Sequence, residues 1–251
     1  MVDDHGRGET VSEEQGEKRA TAPPAARSFF AQMVEGFADH VERSVPLYTV
    51  GHALVCRISD FFVPAASPSV CYELGTSTSA LLAKLARRHQ NKHQVRWVGI
   101  DFIPEMVEEG RKRVADLDNV ELVVDDILTY PYEPSDFVVA YLTVHFVPPR
   151  VRQRLIDRIY ETLKEGGGFV LFEKVRAPEA RLERMMTAVY HAFKLDQGFT
   201  PEEIANKARR LEGILVPYTT KENLALLRRA GFPDVATILK YATFECFLAV
   251  K

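Results

Sequence analysis

The amino-acid sequence predicts an α/β fold: a parallel, doubly wound sheet of about seven strands, finished by an antiparallel hairpin and preceded by a helical cap. Three observations carry this expectation. Short apolar runs alternate with amphipathic stretches from Ser69 to Phe172, which is the pattern of repeated βαβ units. Most of these runs end in an acidic or small residue where a strand would hand over to a helix. Two further apolar runs, Val235 to Tyr241 and Phe244 to Val250, follow each other with almost nothing between them, as the arms of an edge hairpin do.

In chain order, residues 1–27 are polar and charged, with scattered Gly and Pro, and carry too little apolar area to offset chain entropy. They are expected to be a disordered tail. Residues 28–68 form the cap. Phe29, Phe30, Met33, Val34, Phe37 and Val41 recur at helical spacing, and a second helix follows Pro46 through Tyr48, Leu54, Val55 and Ile58. Residues 69–251 form the sheet domain. Its first strand, Val70 to Leu74, ends at Gly75, and Ser77, Thr78 and Ser79 offer caps for a helix carrying Leu81, Leu82 and Leu85. Val95 to Ile100 runs into Asp101, and Pro104 opens a helix. Val120 to Val124 runs into Asp125 and Asp126, and Phe137 to Leu142 is the fourth strand. Pro148 and Pro149 open an amphipathic helix with Val151, Leu155, Ile156, Ile159 and Leu163 on one stripe. Gly166 to Gly168 read as a turn into the fifth strand, Phe169 to Phe172. A helical insertion at about 178–215 then interrupts the pattern, with a capping box at Thr200 and Glu203, and a last helix ends at Gly231.

Composition narrows the function classes. Of 251 residues, 46% are hydrophobic and 27% charged, so a sizeable core needs no metal or disulfide. A net charge of -3 argues against direct nucleic-acid binding. No apolar run reaches the length of a membrane span, and the N-terminus lacks the apolar stretch of a signal peptide. Cys56, Cys71 and Cys246 are far apart and odd in number, so they read as reduced thiols of a cytoplasmic protein, with no metal site.

The chemistry gathers at the carboxyl ends of the strands, where doubly wound sheets bind ligands. Glu73, Asp101, Asp126 and Glu173 all fall there. The turn after Glu73 is small, so a ligand can approach the backbone at Gly75. An acidic residue ending the second strand, Asp101, suits a ribose diol. Asp126 with Ile127 pairs an acceptor for an exocyclic amine with an apolar wall. The later glycines of a dinucleotide turn are missing, and Glu73 would repel a pyrophosphate while attracting an ammonium or a sulfonium. The ligand that meets these demands is S-adenosylmethionine (SAM), not NAD.

On these residues the chain resembles the class I SAM-dependent methyltransferases, which are Rossmann-like. Within that superfamily it most resembles the carboxy-SAM synthases. The likeness rests on Arg43-Ser44-Val45-Pro46 with Tyr48, Glu73-Leu74-Gly75, Ile100-Asp101 with Pro104 and Met106, and Asp126-Ile127. It continues through Leu171 with Glu173-Lys174, His191 with Phe193-Lys194, and Ala230-Gly231-Phe232. The resemblance implies that Tyr48, Asp101, Asp126 and Ile127 line the SAM pocket, with Phe102 beside them, and that the protein is a homodimer. Three positions depart from the family pattern. Tyr141 stands where the family has Asn, Ala208 where it has a carboxylate-gripping Arg supplied by the partner subunit, and Ser79 where it has Gly. These departures point to a relative with a different reaction.

Several residues keep two readings. His145 is a candidate general base, or a histidine packed beside Phe146. Tyr141 is a candidate catalytic ring facing the sulfonium, or core. Tyr190 and His191 read as helix surface, and Arg209-Arg210 as a solvated face. The leading functional expectation is a SAM-dependent methyltransferase acting on a small molecule, with His145 and Tyr141 as catalytic residues. An enzyme that uses SAM itself as substrate, cyclising it to azetidine-2-carboxylate and methylthioadenosine or carboxylating it, is the alternative. A non-catalytic SAM-binding protein is the third.

Overall fold

The computed structural model describes residues 24–251, apart from Gln32 and His93. Most of the expected tail therefore lies outside the described residues. Its last residues, 24–27, belong instead to the first helix, α1 (Pro24–Ala31), which opens on a proline whose fixed φ suits a first helical turn. The single helix expected through Phe29 and Val41 is two. Gly36, at φ 70°, stands in the left-handed region and separates α1 from α2 (Phe37–Ser44). Helix α3 (Tyr48–Ile58) completes the cap and runs into a short 3₁₀ turn at Ser59–Phe61.

The sheet domain then follows in order: β1 (Ser69–Leu74), α4 (Ala80–Arg88), β2 (Val95–Asp101), α5 (Pro104–Arg113), β3 (Val120–Val124) and β4 (Ser135–Tyr141). A 3₁₀ turn, Val144–Phe146, leads to α6 (Pro149–Thr162) and β5 (Leu163–Arg176). Next come α7 (Ala180–Asp196), α8 (Pro201–Arg210), β6 (Tyr218–Thr219), α9 (Thr220–Ala230), β7 (Asp234–Tyr241) and β8 (Phe244–Val250). The sheet order is β3-β2-β1-β4-β5-β8-β7; β1 to β5 are parallel, and β8 is antiparallel to both its neighbours. The two-residue β6, too short to leave a pattern in the sequence, pairs with β5 beyond this path.

The strands show why both faces must be covered. Tyr72, Leu74, Val98, Ile100, Val138 and Ala140 pack into one core with Leu155 and Ile159 of α6 and Leu227 of α9. Their alternates Cys71, Trp97, Phe137, Val139 and Tyr141 pack into the other with Val55 of α3 and Leu82 and Leu85 of α4. The period of two sends neighbouring side chains to opposite faces, and each is apolar because each face carries helices. Trp97, Tyr72, Phe137, Phe169 and Phe172 are fully buried, and each large apolar side chain contributes about 1.5–3 kcal/mol through burial.

Two local expectations change. Gly166 to Gly168 lie inside β5 and form no separate turn: the pairing with β4 steps from Ser135↔Leu163 to Phe137↔Gly168, so residues 164–167 bulge opposite Asp136. The bulge exchanges hydrogen bonds with Lys251, through Gly166 N–H to its carbonyl and its N–H to Gly167 O, both at 3.0 Å. The Ser77-Thr78-Ser79 cap of α4 is not made by a hydroxyl. Ser79 stands at the N-cap with φ 59° and makes no side-chain cap bond. Glu73 takes that role from β1, where its Oε2 accepts the Leu82 N–H at 3.0 Å. The capping box at Thr200 and Glu203 forms as expected, a second one stands at Thr219 and Glu222, and Gly231 closes α9 at φ 114°.

Candidate active site

At the carboxyl ends of the strands, under the cap, lies a cavity of about 620 Å³, within the range of small-molecule sites. It brings together Tyr48, Glu73, Gly75, Asp101 and Phe102 with Asp126, Ile127, Tyr141 and His145, whereas Glu173, also expected at this edge, lies behind the lining.

The β1 turn forms its floor. Gly75 holds φ 69°, and a Cβ there would run into the Thr143 side chain; both reasons favour glycine. Ser77 and Ser79 also hold left-handed backbone, at φ 51° and 59°, a conformation that costs a non-glycine residue roughly 1–3 kcal/mol. Asp101 fastens the strained turn. Its Oδ2 accepts the Ser77 N–H at 2.8 Å and its Oδ1 the Ile103 N–H at 2.9 Å. Each carboxylate oxygen keeps capacity for a further hydrogen bond, so a ribose diol fits. Glu73 Oε2 is occupied by Leu82 N–H and, at 2.7 Å, by the Thr76 hydroxyl, which leaves Oε1 for a ligand. Asp126 Oδ1 accepts the Leu128 N–H at 2.9 Å, which turns the chain so that Ile127 and Leu128 wall the cavity.

Burial sets the protonation of this end. It pushes Glu73 up to about 8; the neighbouring Asp101 adds to the effect, while the Thr76 and Leu82 donors oppose it. Burial also raises Asp101, to about 6, against the pull of its backbone donors. A bound cation would reverse the trend at Glu73 by favouring its ionised form.

Opposite the turn stands an aromatic wall. The Tyr48 and His52 rings lie 4.2 Å apart, His52 and Tyr141 4.8 Å, and Tyr48 and Tyr141 5.7 Å. Tyr141 stacks on Phe172 at 4.5 Å, and its hydroxyl donates to the Tyr48 carbonyl at 3.1 Å. Gly51 makes the approach of α3 possible, because a Cβ there would overlap the Tyr141 hydroxyl. Burial and then Lys84 lower His52 to about 3, so its ring is neutral. Such a wall presents ring faces and an uncharged imidazole, which suits a sulfonium.

His145 sits on the 3₁₀ turn after β4, 3% exposed. Its Nδ1 lies 2.6 Å from Glu173 Oε2 and 3.2 Å from the Lys174 N–H. The hydrogen bond at Nδ1 is the one it accepts from the Lys174 N–H, and the Glu173 carboxylate lies within ion-pair distance of the same nitrogen. Glu173 also collects the backbone N–H groups of Thr143, Val144 and His145. These contacts hold the ring at the cavity wall. The pairing joins residues 28 positions apart, which only the neighbouring placement of β4 and β5 reveals.

The structure moves Tyr190 off the helix surface. It is buried, its hydroxyl donates to Ser44 O at 2.9 Å, and it lines the cavity because α7 folds its middle against the cap. His191 is exposed at the cavity edge. Lys174 and Lys194, which fall in the stretches that carry the family resemblance, also line the site, as do Lys207 and His52, which carried no functional signal in the sequence.

Comparison with known proteins places the chain. A family profile described as a methyltransferase domain matches residues 72–167. Human N-acetylserotonin methyltransferase, solved with SAM, superposes with a TM-score of 0.60 at 20% identity, over 90% of this chain and 56% of that one. A putative O-methyltransferase from Nostoc punctiforme gives 0.63 at 14% identity, over 88% and 60%. Fold and site thus define a SAM-dependent transferase of the Rossmann-like methyltransferase class. The carboxy-S-adenosyl-L-methionine synthase of Sulfurimonas denitrificans is 33% identical over 226 residues, spanning 89% of this chain and 94% of that protein. The synthase of Campylobacter fetus subsp. fetus is 36% identical over 225 residues, with the same coverage. The chain belongs to the carboxy-S-adenosyl-L-methionine synthase family.

Proposed function

We propose that the protein transfers the methyl group of SAM to a small-molecule acceptor and that His145 takes the acceptor's proton. The observation that carries this reading is His145, buried at the wall of the ligand cavity with its Nδ1 2.6 Å from Glu173 Oε2. SAM, when bound, supplies an electrophilic methyl on a sulfonium. The chain's own residues do the rest. Asp101 and Asp126 hold the ribose and the adenine amine, and Gly75 lets the ligand lie against the β1 turn. Glu73 faces the cationic tail, and the rings of Tyr48 and Tyr141 exclude water around the sulfonium. With SAM bound, the acceptor's O–H, N–H or C–H proton would pass to His145 while the methyl leaves the sulfur for the acceptor, releasing S-adenosylhomocysteine. Alignment and dehydration supply most of the acceleration.

A second reading makes SAM itself the substrate. The relatives named carboxy-S-adenosyl-L-methionine synthase favour it, and the aromatic wall serves it equally. Product analysis separates the two: S-adenosylhomocysteine formed only with an acceptor supports methyl transfer, whereas methylthioadenosine formed from SAM alone supports cyclisation.

The proposal includes a homodimer. Leu182, Met185 and Val189 are 44%, 51% and 44% exposed on one face of α7, an apolar stripe that a second copy would cover. Mass measurement by light scattering at two concentrations tests this. No described helix is long and apolar enough to cross a membrane.

A further inference from the structure

His145 stands between two apolar walls that the sheet does not supply. One comes from α1 and the residues after it. The Phe30 ring meets Phe146 edge to face, with centroids 4.9 Å apart, and Met33 lines the same cavity. The other is the segment between α8 and β6. The Val216 N–H donates to the His145 carbonyl at 3.0 Å, and the buried Arg152 guanidinium donates to the His145 and Val216 carbonyls at 3.0 and 2.6 Å. These bonds pin the segment to the His145 turn, and its Leu215 and Pro217 line the cavity. Phe30, Met33, Phe146, Leu215 and Pro217 are all half-buried, so apolar surface here remains for a ligand to cover. The charges of these elements are engaged elsewhere. Arg152 is closed on carbonyls and on the Tyr218 ring 4.3 Å away, and Arg210 lies over the Phe29 ring at 4.8 Å. Arg209 and Glu212 reach the cavity from exposed positions and are opposite in sign. The site's lysines have contacts of their own: Lys174 and Lys194 lie over the Tyr190 ring, and Lys207 bonds the Nε2 of His40.

A charge buried against such walls without a partner is costly. A flat aromatic body meets no such cost and gains ring contacts with Phe30 and Phe146. We propose that this chamber holds the acceptor and that the acceptor is an uncharged phenol, with its ring between α1 and residues 211–217 and its hydroxyl at His145. Acidity selects the hydroxyl. An imidazole is a modest base, and a phenol ionises near pH 10, as the tyrosine side chain does, whereas an aliphatic alcohol is nearer to water, at about 15.7. With SAM bound, the phenol O–H bond breaks towards His145 and the oxygen's electron pair forms the bond to the methyl carbon. The carbon–sulfur bond breaks with its electron pair staying on sulfur. The Glu173 carboxylate, 2.6 Å from His145 Nδ1, offsets the charge that the imidazole gains. An aryl methyl ether and S-adenosylhomocysteine leave, and the imidazolium returns its proton to water.

This inference rests on the methyltransferase reading, and two readouts on the full chain keep them apart. In calorimetry, the protein is saturated with S-adenosylhomocysteine and titrated with 2-naphthol and with 2-naphthoate. The expected result is that 2-naphthol binds roughly tenfold or more tighter than the acid. Leu215→Asn and Met33→Gln are each expected to weaken 2-naphthol by about fivefold while changing SAM affinity less than about twofold, with Met33→Leu retaining most of the binding. Thermal melting confirms that the variants are folded. In mass spectrometry with SAM, 2-naphthol is expected to be methylated about 10²-fold or more faster than decahydro-2-naphthol, its saturated counterpart. Binding of 2-naphthoate as tight as that of 2-naphthol overturns the proposal, as do equal methylation rates for the two alcohols. So does an equal loss of SAM affinity in the variants, which would make the chamber part of the SAM site. Methylthioadenosine formed from SAM alone would instead strike the methyltransferase reading beneath it, and failure to bind S-adenosylhomocysteine would strike the cofactor assignment.

Discussion

The Tyr141 hydroxyl donates to the carbonyl of Tyr48 at 3.1 Å, tying the end of β4 to the first residue of α3. The bond couples the sheet to the cap, and it separates what the ring of Tyr141 does from what its hydroxyl does. Tyr141→Phe keeps the ring stacked on Phe172 and is expected to lower stability by about 0.5–1.5 kcal/mol, with methyl transfer largely preserved. Gly51→Ala, whose new methyl has no room beside that hydroxyl, is expected to cost more stability and to weaken SAM binding by displacing α3. Chemical denaturation and calorimetry on the two variants check the order of effects.

Asp101 holds both the β1 turn and, in the proposed complex, the ribose. Asp101→Asn keeps its size and loses half its accepting capacity. SAM affinity is expected to fall roughly tenfold or more, about 1.4 kcal/mol, with a smaller change in melting temperature because Ser77 and Ile103 still find one acceptor. Unchanged affinity in calorimetry would remove Asp101 from the ligand site.

Glu73 makes SAM binding sensitive to pH. Burial raises its free-state value to about 8, so near pH 7 the carboxyl is mostly protonated before ligand arrives. A cation placed against Oε1 favours the ionised form, so binding releases a proton and affinity rises with pH until the free carboxyl is itself ionised. Calorimetry in buffers of different ionisation heat should detect the released proton, and Glu73→Gln should abolish it.

The Glu173–His145 pair is expected to serve turnover and not cofactor affinity. His145→Ala should slow methyl transfer by roughly 10²–10⁴-fold with SAM binding unchanged. Glu173→Gln acts through the ring it holds, so a smaller fall in kcat than that of His145→Ala, with SAM affinity unchanged, would mark it as a positioning residue. A rate unchanged in His145→Ala would return the histidine to packing beside Phe146.

Much of this architecture was legible in the sequence for a physical reason. Strands covered on both faces must be apolar at successive positions, so Val70 to Leu74, Val95 to Ile100 and Phe137 to Leu142 stood out, and the acidic residues at their ends marked the ligand edge. Features that depend on distant partners did not stand out. Glu73 caps α4 from another element, Glu173 meets His145 only because β4 and β5 are neighbours, and residues 164–167 bulge only because Asp136 opposes them. Gly36 was visible as a residue, but its left-handed break between α1 and α2 was not. Lys207 was the least legible, since nothing in a helical pattern tells a solvated lysine from one turned into a cavity.

The measurement that tests the central claim most directly is mass spectrometry of the protein incubated with SAM, first alone and then with a panel of small-molecule acceptors. The account expects SAM to remain intact alone, and S-adenosylhomocysteine and a methylated product to appear together once an acceptor is present. Methylthioadenosine and a four-membered amino acid accumulating from SAM alone, above the spontaneous background, would contradict it and make SAM the substrate.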